Sequence, residues 1–558
     1  VYFKCPVILK GEKEKESNYM STMYFPQYAR GRDGIEITPG ETVLDHILRI
    51  GGVEIDSECC GKGECGKDVI RLEKGRSVLN EVTEIEKQFR EQGSLGPNQR
   101  LACQARVERD GEDVIVFIPN FGRYTILTDF VETKVTPHPC VWRSGNQVLH
   151  CNGDVLGAYE GNVYGLAVDI GTTTLVMQLM DLESGENVGK PMASKNPQIA
   201  YGNDIISRIG YTINHEDGLR ELQQAIAGGI NNTLREMERQ HGDSSIRSRI
   251  YEVVAVGNST MRDLFLGQDV KSLGLIPFEP SCKESFTLRA EELGLDIHPH
   301  GFVYTPPLIG GHAGADCLAD IISTNLYNSE AIGMIIDIGT NGEIVLGNKN
   351  KMLTASCAAG GAYEGYQIRC GVGAIQGAIT KIVIQDGKVE YETLADKPAL
   401  GVCGSGVIDL LAELLRNNIM NAKARIQKEY HITDNVCISQ DDINQLIIAK
   451  AGLRTDQELL LKYYGIDIAE VEHIYLAGAF GNYMNIDNAM AIGLLPELAK
   501  ERYVRSGNGA LAGAIEILIS REKRSDAENV LARIQHTKPN EIEGEQFQYQ
   551  VAENIYFT

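Results

Sequence analysis

The chain has 558 residues, 43% of them hydrophobic and 23% charged, and a formal net charge of -23. That length needs several folding units around separate cores, the composition is that of a folded, soluble chain, and the acidic excess excludes a nucleic-acid partner. With no apolar run long enough for a membrane span, no secretory signal and thirteen cysteines outside any small disulfide scaffold, the expectation is a cytoplasmic protein with reduced thiols and no membrane partner.

Val1 to Tyr19 carries a lysine and glutamate run without an apolar period. Met20 is one candidate start, which would make residues 1–19 an added or disordered leader; the alternative is that they are native. Met23 to Ala29 reads as a strand, Gly31 to Gly34 as a turn and Ile35 to Thr38 as a second strand. After the turn signal Thr38-Pro39-Gly40, the spacing of Val43, Leu44, Ile47 and Leu48 predicts a helix that ends at Gly51-Gly52. A glycine-rich loop with Cys59, Cys60, Gly61, Gly63, Cys65, Gly66 and Asp68 follows, and Cys103 comes after a long gap. Thiolates are the usual ligands of iron–sulfur clusters, and glycines let backbone N–H groups approach inorganic sulfide. Val69 to Leu72 and Val114 to Ile118 supply further strands.

This order, strand, strand, helix, cysteine loop, resembles the β-grasp 2Fe–2S ferredoxin fold over residues 20–120. The resemblance implies a 2Fe–2S cluster on Cys59, Cys65, the position of Asp68, and Cys103. Its C-x5-C-x2-C spacing would put a third thiolate where this chain has Asp68. Three readings stay open: Asp68 ligates iron through oxygen, Cys60 substitutes for it in a rearranged loop, or the cluster site is dead and Asp68 is an ordinary carboxylate.

Residues 121–162 read as a linker, broken by Pro137, Pro139 and Gly145. Trp142 is expected to anchor packing between domains, and Cys140 and Cys151 to be buried thiols. Gly165 to Thr174 then runs as an apolar strand into Asp169-Ile170-Gly171-Thr172-Thr173, and Gly333 to Gly342 repeats it as Asp337-Ile338-Gly339-Thr340-Asn341. In such a turn backbone amides and hydroxyls can face a phosphate while the aspartate holds Mg2+ through water. Two copies imply duplicated lobes.

These segments resemble the two phosphate motifs of the actin, sugar-kinase and heat-shock chaperone ATPases. Val253 to Met261 resembles the first connecting segment of that superfamily, Ile474 to Asn482 the adenosine motif, and Gly507 to Ala514 the second connecting helix, whose small residues suit close contact at a hinge. The implied architecture is multidomain α/β: the ferredoxin-like domain, the linker, a first ATPase lobe at 163–328 and a second at 329–558, with duplicated mixed sheets.

The ferredoxin–ATPase combination resembles the reductive activators of corrinoid proteins, most closely those serving O-demethylases. Asn196 to Gln198, Gly202 to Ile209, Ser356 to Gly365 and Cys403 to Asp409 are further runs of that kind. The resemblance implies ATP-dependent reduction of cobalt(II) to cobalt(I) in a corrinoid protein partner, an electron donor of unstated identity and a homodimer. It implies phosphate contacts from Gly171, Thr172, Thr173, Gly339, Thr340 and Asn341, and adenosine contacts from Gly478, Ala479 and Gly481. Asp169 and Asp337 are the candidates for holding Mg2+ or ordering the attacking water, and Asp204 is a further catalytic candidate. His312 reads as structural; Cys357, Cys370 and Cys403 read as small buried thiols near the nucleotide. The alternatives are a small-molecule kinase with an accessory redox domain, and an ATP-regulated ferredoxin module.

Overall fold

The computed structural model describes residues 21–25, 31, 34–50, 55, 61–63, 68–91, 95, 99–118, 135–202, 204–339, 341–357, 360–363 and 368–557. Residues 1–20, Cys59, Cys60, Cys65 and Thr340 lie outside them. The chain divides into two compact units, Val1–Phe121 and Gly122–Thr558.

In the first unit β1 (Thr22–Tyr24), β2 (Ile35–Glu36), β3 (Val69–Lys74), β4 (Gln99–Leu101) and β5 (Val114–Phe117) form one mixed sheet in the order β2-β1-β5-β3-β4. β1 runs parallel to β5, while β3 is antiparallel to both β4 and β5. Helix Val43–Ile50 buries Val43, Leu44 and Ile47, the face expected from their spacing, while Leu48 is exposed. They join Met23, Ile70, Leu101 and Val116 in one core. This is a β-grasp arrangement, with a helix laid over a sheet whose first and last strands are parallel neighbours. A second helix, Glu84–Glu91, is mostly charged and offers only Ile85 and Phe89 to the core, too sparse a pattern for periodicity to reveal.

The second unit opens with β6 (Val141–Ser144), β7 (Gln147–His150) and β8 (Val155–Ala158), an antiparallel three-stranded meander. The linker expected at 121–162 is thus strand-forming over 141–158. Val141, Val148 and Leu156 are fully buried in the same core as Tyr251 and Leu518. Trp142 packs within this unit, with the Arg521 guanidinium 4.5 Å from its ring centre. Cys140 is buried as expected, whereas Cys151 is exposed in the turn after β7.

Next come β9 (Tyr164–Ile170), β10 (Thr174–Asp181), β11 (Asn187–Lys195), β12 (Ile250–Val256), β13 (Phe286–Arg289) and β14 (Phe302–Thr305), in sheet order β11-β10-β9-β12-β14-β13. The rest of the chain supplies β15 (Gly333–Ile338), β16 (Gly342–Gly347), β17 (Met352–Cys357), β18 (Ala378–Gln385), β19 (Lys388–Thr393), β20 (Gly401–Val402), β21 (Tyr430–His431), β22 (Cys437–Ile438), β23 (His473–Ala477), β24 (Tyr503–Gly507) and β25 (Ile534–His536). Its main sheet has the order β24-β23-β15-β16-β17-β25. Read from the third strand inward, both sheets have the order three-two-one-four-five, with one extra edge strand each. In both, the first two strands form an antiparallel hairpin and the fourth lies parallel to the first. β9, β12 and β15 are apolar almost throughout because both sheet faces are covered.

Helices Ala315–Ser323 and Gly509–Ile519 cross between the sheets. A side chain on Gly513 would overlap the Ala319 carbonyl, so the helix backbones touch there. Among the described residues no helix is long and apolar enough to cross a membrane.

Candidate functional site: an acidic cluster face and a five-carboxylate cleft

In the first unit, Asp68 precedes β3 and Cys103 follows β4, and the pairing of those strands brings the two together. The Cys103 backbone N–H donates to Asp68 Oδ2 at 2.7 Å, and the Ala102 N–H donates to the Asp68 carbonyl at 2.8 Å. Asp68 is fully buried, and its Oδ1 has no hydrogen-bond partner. A buried carboxylate oxygen without a donor is costly unless a cation takes it. Gly61 and Gly63 hold φ of +83° and +77°, and a methyl on Gly61 would sit 3.8 Å from Cys103 Cβ. The turn at Gly61–Gly63 therefore lies beside Cys103. These residues fit an iron centre: a thiol and an orphaned carboxylate oxygen on one side, a tight glycine turn on the other.

The position of Cys103 is braced from behind. Glu86 is fully buried, and its Oε1 accepts from Arg100 Nε at 2.7 Å and from the Leu101 N–H at 2.9 Å. Burial raises the Glu86 carboxyl, but Arg100 and the Thr83 and Leu101 N–H groups hold it below its ordinary value.

In the second unit the two repeated motifs occupy equivalent hairpins. β9 turns into β10 through Gly171-Thr172-Thr173, and β15 and β16 pair as a hairpin flanked by Gly339 and Asn341. Three asparagines hold the first turn, and each uses its two side-chain ends in the same way. Asn196 Oδ1 accepts from the Gln198 N–H and its Nδ2 donates to the Gly171 carbonyl at 2.7 Å. Asn258 caps helix Ser259–Leu266 through Met261 N–H and donates to Thr172 Oγ1 at 3.2 Å. Asn508 caps helix Gly509–Ile519 through Leu511 N–H and donates to Asp169 Oδ2 at 2.8 Å. Beneath them the fully buried Arg208 donates to the carbonyls of Thr172 and Gly202.

Around these turns five carboxylates converge: Asp169 on β9, Asp316 and Asp320 on helix Ala315–Ser323, Asp337 on β15 and Glu343 on β16. Burial pushes Asp169 up to about 6, with the Asn508 bond opposing. Burial and the nearby Asp169 charge push Asp337 up to about 7. Asp316 rises to about 8, again through burial first and then the charges of Asp337 and Asp169. Burial and these neighbours also raise Asp320 and Glu343. Both Asp320 oxygens are buried without a hydrogen-bond partner. Like charges at this spacing need an external cation to be ionised together, and oxygen donors suit Mg2+. The residues therefore fit a nucleotide-bound divalent ion.

The adenosine-type turn meets the same cleft. Gly478, at the end of β23, has φ +79°, and a side chain there would overlap the Asp337 carboxylate. Gly481 lies in the following short helix, packed on Leu476; of the side chain of Ala479 nothing is described. The Asn341 side chain opposes the rise of the Glu343 carboxyl.

The structure brings Asp169 and Asp337 together with Gly171, Thr172, Gly339 and Gly478. Asp204 has a different place: it is exposed and caps helix Ile205–Asn214, accepting from Ser207 N–H at 2.7 Å, and it is not one of the five carboxylates. His312 is partly buried beside Phe278, ring centres 5.8 Å apart, and burial lowers its pKa, as suits a structural imidazole. Cys403 is buried, whereas Cys357 and Cys370 are only half-buried. Residue pattern alone does not single out Asp316, Asp320 and Glu343; the one signal they carry is the i, i+4 spacing of Asp316 and Asp320 on one helix.

The chain is similar over residues 30–108 to the family model of the 2Fe-2S iron-sulfur cluster binding domain. Residues 164–329 match the RACo middle region, and 331–557 the C-terminal domain of RACo, the ASKHA domain. A corrinoid activation enzyme, RamQ, of Eubacterium limosum is 30% identical over 546 residues, 87% of this chain and 91% of that protein. A [Co(II) methylated amine-specific corrinoid protein] reductase of Methanosarcina barkeri is 26% identical over 67% of this chain and 73% of its own length. The solved structure of a reductive activator for a corrinoid, iron-sulfur protein superposes with TM-score 0.68 at 28% identity, covering 96% of this chain and 98% of that one. A ferredoxin-type domain in which one oxygen of a buried carboxylate lacks a donor, followed by duplicated ATPase sheets that bring five carboxylates together, agrees with all of these, and the chain belongs to the family of ATP-dependent reductive activators of corrinoid proteins.

Proposed function

We propose that the chain delivers one electron from a 2Fe–2S cluster on Cys59, Cys65, Asp68 and Cys103 to the cobalt(II) of a corrinoid protein, returning it to cobalt(I) at the expense of ATP. The observation that carries this reading is the partnerless Oδ1 of the buried Asp68 beside Cys103, in a chain that also holds the five-carboxylate cleft. Bound there, the cluster supplies single-electron transfer. Asp68 contributes a hard oxygen donor, fixed by the Cys103 N–H, and such a donor favours ferric iron and lowers the potential.

Plant-type clusters lie near about -400 mV. A shortfall of about 120 mV against the cobalt couple opposes product about a hundredfold, or about 2.7 kcal/mol. ATP offsets this if closed and open lobes bind the two cobalt states with that difference in affinity. Gly171, Thr172, Thr173, Gly339, Thr340 and Asn341 bind the phosphates, and Gly478, Ala479 and Gly481 the adenosine. Asp169 and Asp337, joined by Asp316, hold Mg2+, which screens the phosphate charge. Asp204 keeps its capping role. The lobes divide near residue 329, where the two family matches meet.

The partner is a corrinoid protein of a methyltransferase system, of the O-demethylase type. The homodimer rests on family membership. Among the described residues no disulfide joins the nine cysteines, in keeping with a reducing cytoplasm. The deciding experiment is anoxic optical monitoring of a purified O-demethylase corrinoid protein with this chain and reductant. Cobalt(I) absorption should rise only when MgATP is added; equal reduction without ATP overturns the proposal. Phosphorylation of a small molecule in place of cobalt reduction would point to a kinase.

A further inference from the structure

Cys370 and Cys437 are 67 positions apart, yet their sulfurs lie 3.8 Å from each other. Cys437 starts β22 and stands opposite His431 on β21, with Glu429 just before that strand. A Glu429 oxygen, a His431 ring nitrogen and Cys437 Sγ all lie within 4.8 Å of one another. Glu429 Oε2 accepts from Arg369 at 3.2 Å, and Oε1 faces His431 Nε2 at 3.5 Å. The Cys370 side is held by backbone bonds. Its sulfur accepts from the Cys437 N–H at 3.4 Å, its carbonyl from Val402 N–H at 2.8 Å, and the preceding Arg369 N–H donates to Asp442 at 2.6 Å.

Two thiolates on a tetrahedral zinc ion at about 2.3 Å each stand about 3.8 Å apart, the separation found here, and imidazole and carboxylate complete a common donor set. We propose that Cys437, His431, Glu429 and Cys370 form a binding site for a thiophilic divalent cation, zinc by its donors, which staples the hairpin β21–β22 to the turn at Arg369–Gly371. Burial first, then Glu429 and Cys370, keeps the Cys437 thiol protonated without the ion, so loading releases protons. The site uses none of the residues assigned to the iron centre or the nucleotide, and it stands whether or not the cobalt reaction does.

The test uses the full chain, prepared without oxygen, incubated with zinc sulfate and freed of excess by gel filtration. Zinc and iron per chain are then measured by elemental analysis. One zinc per chain is expected in addition to the cluster iron. Cys437→Ser and His431→Ala should each weaken zinc retention at least about tenfold against a competing chelator, with iron content unchanged. His431 is more than half exposed, so His431→Ala keeps the test valid if Cys437→Ser folds poorly. Cobalt(II) in place of zinc should give a thiolate charge-transfer band that Cys437→Ser weakens and that the double variant Cys370→Ser, Cys437→Ser abolishes. Zinc retained equally by both variants would place it elsewhere and overturn the proposal. So would no zinc in the unaltered chain, including the case where thiol titration shows Cys370 and Cys437 joined as a disulfide.

Discussion

A single carboxylate in place of a thiolate decides the chemistry of the first unit. If Oδ1 of Asp68 is an iron ligand, Asp68→Ala removes it and leaves a three-ligand site, while Asp68→Cys restores the fourth donor. Iron content and the reduced-state EPR signal should fall sharply in the alanine variant and persist in the cysteine variant; an unchanged alanine variant rules out oxygen ligation. The spacing of Cys59, Cys65 and Cys103 made that position legible in the sequence. The burial of Asp68 and its bond to the Cys103 N–H were not, because both depend on β3 pairing with β4. The same limit applies in the cleft. Asp169 and Asp337 announce themselves by their Gly-Thr turns, whereas Asp316, Asp320 and Glu343 look like solvated residues until strands and helix converge on them. Asp337→Asn removes one charge from that group without changing its shape. ATP-stimulated cobalt reduction should drop by about two orders of magnitude or more, as for loss of a group that orders phosphates and water, while cluster absorption stays the same. The Arg100–Glu86 pair supports the strand that leads to Cys103: Arg100→Met strands a buried carboxylate and should cost about 3–5 kcal/mol in denaturant unfolding of the first unit.

Elements explain why a repeated motif became one cleft. Each hairpin is short, apolar and covered on both faces, and each places its aspartate at the strand end next to a parallel neighbour. Duplication was readable because a buried strand entering a glycine turn has a strong local signature. The meander β6–β8 is not legible in the sequence because its alternation is brief and set among prolines and glycines. Where helices Ala315–Ser323 and Gly509–Ile519 touch at Gly513 and Ala319, no side chain fits between them. Gly513→Leu should therefore force the helices apart at a cost of about 1–3 kcal/mol or more, read as a lower melting temperature together with weaker ATP stimulation. A loss of stability with full ATP stimulation would mean that this crossing is only packing.

At the scale of the whole molecule the buried acids make stability depend on pH in a defined sense. Asp169, Asp337 and Asp316 titrate above the ordinary carboxyl range, up to about 6, 7 and 8. The folded chain thus holds protons that the unfolded chain has lost. Their favourable contribution is complete below the ordinary carboxyl range, near about pH 4, and disappears as pH rises through 6 to 8. The Mg2+ of MgATP, held among the ionised carboxylates, offsets the penalty, so the rise in melting temperature on adding MgATP should be larger at pH 8 than at pH 6; equal rises at both would refute the shared-cation reading. Asn508 adds a last consequence. One amide closes the end of a helix from the second half and grips Asp169 in the first, so a latch between halves depends on a single nitrogen atom. Deamidation, Asn508→Asp, would leave the helix end satisfied and turn the grip into repulsion, giving a well-folded clamp that stands ajar.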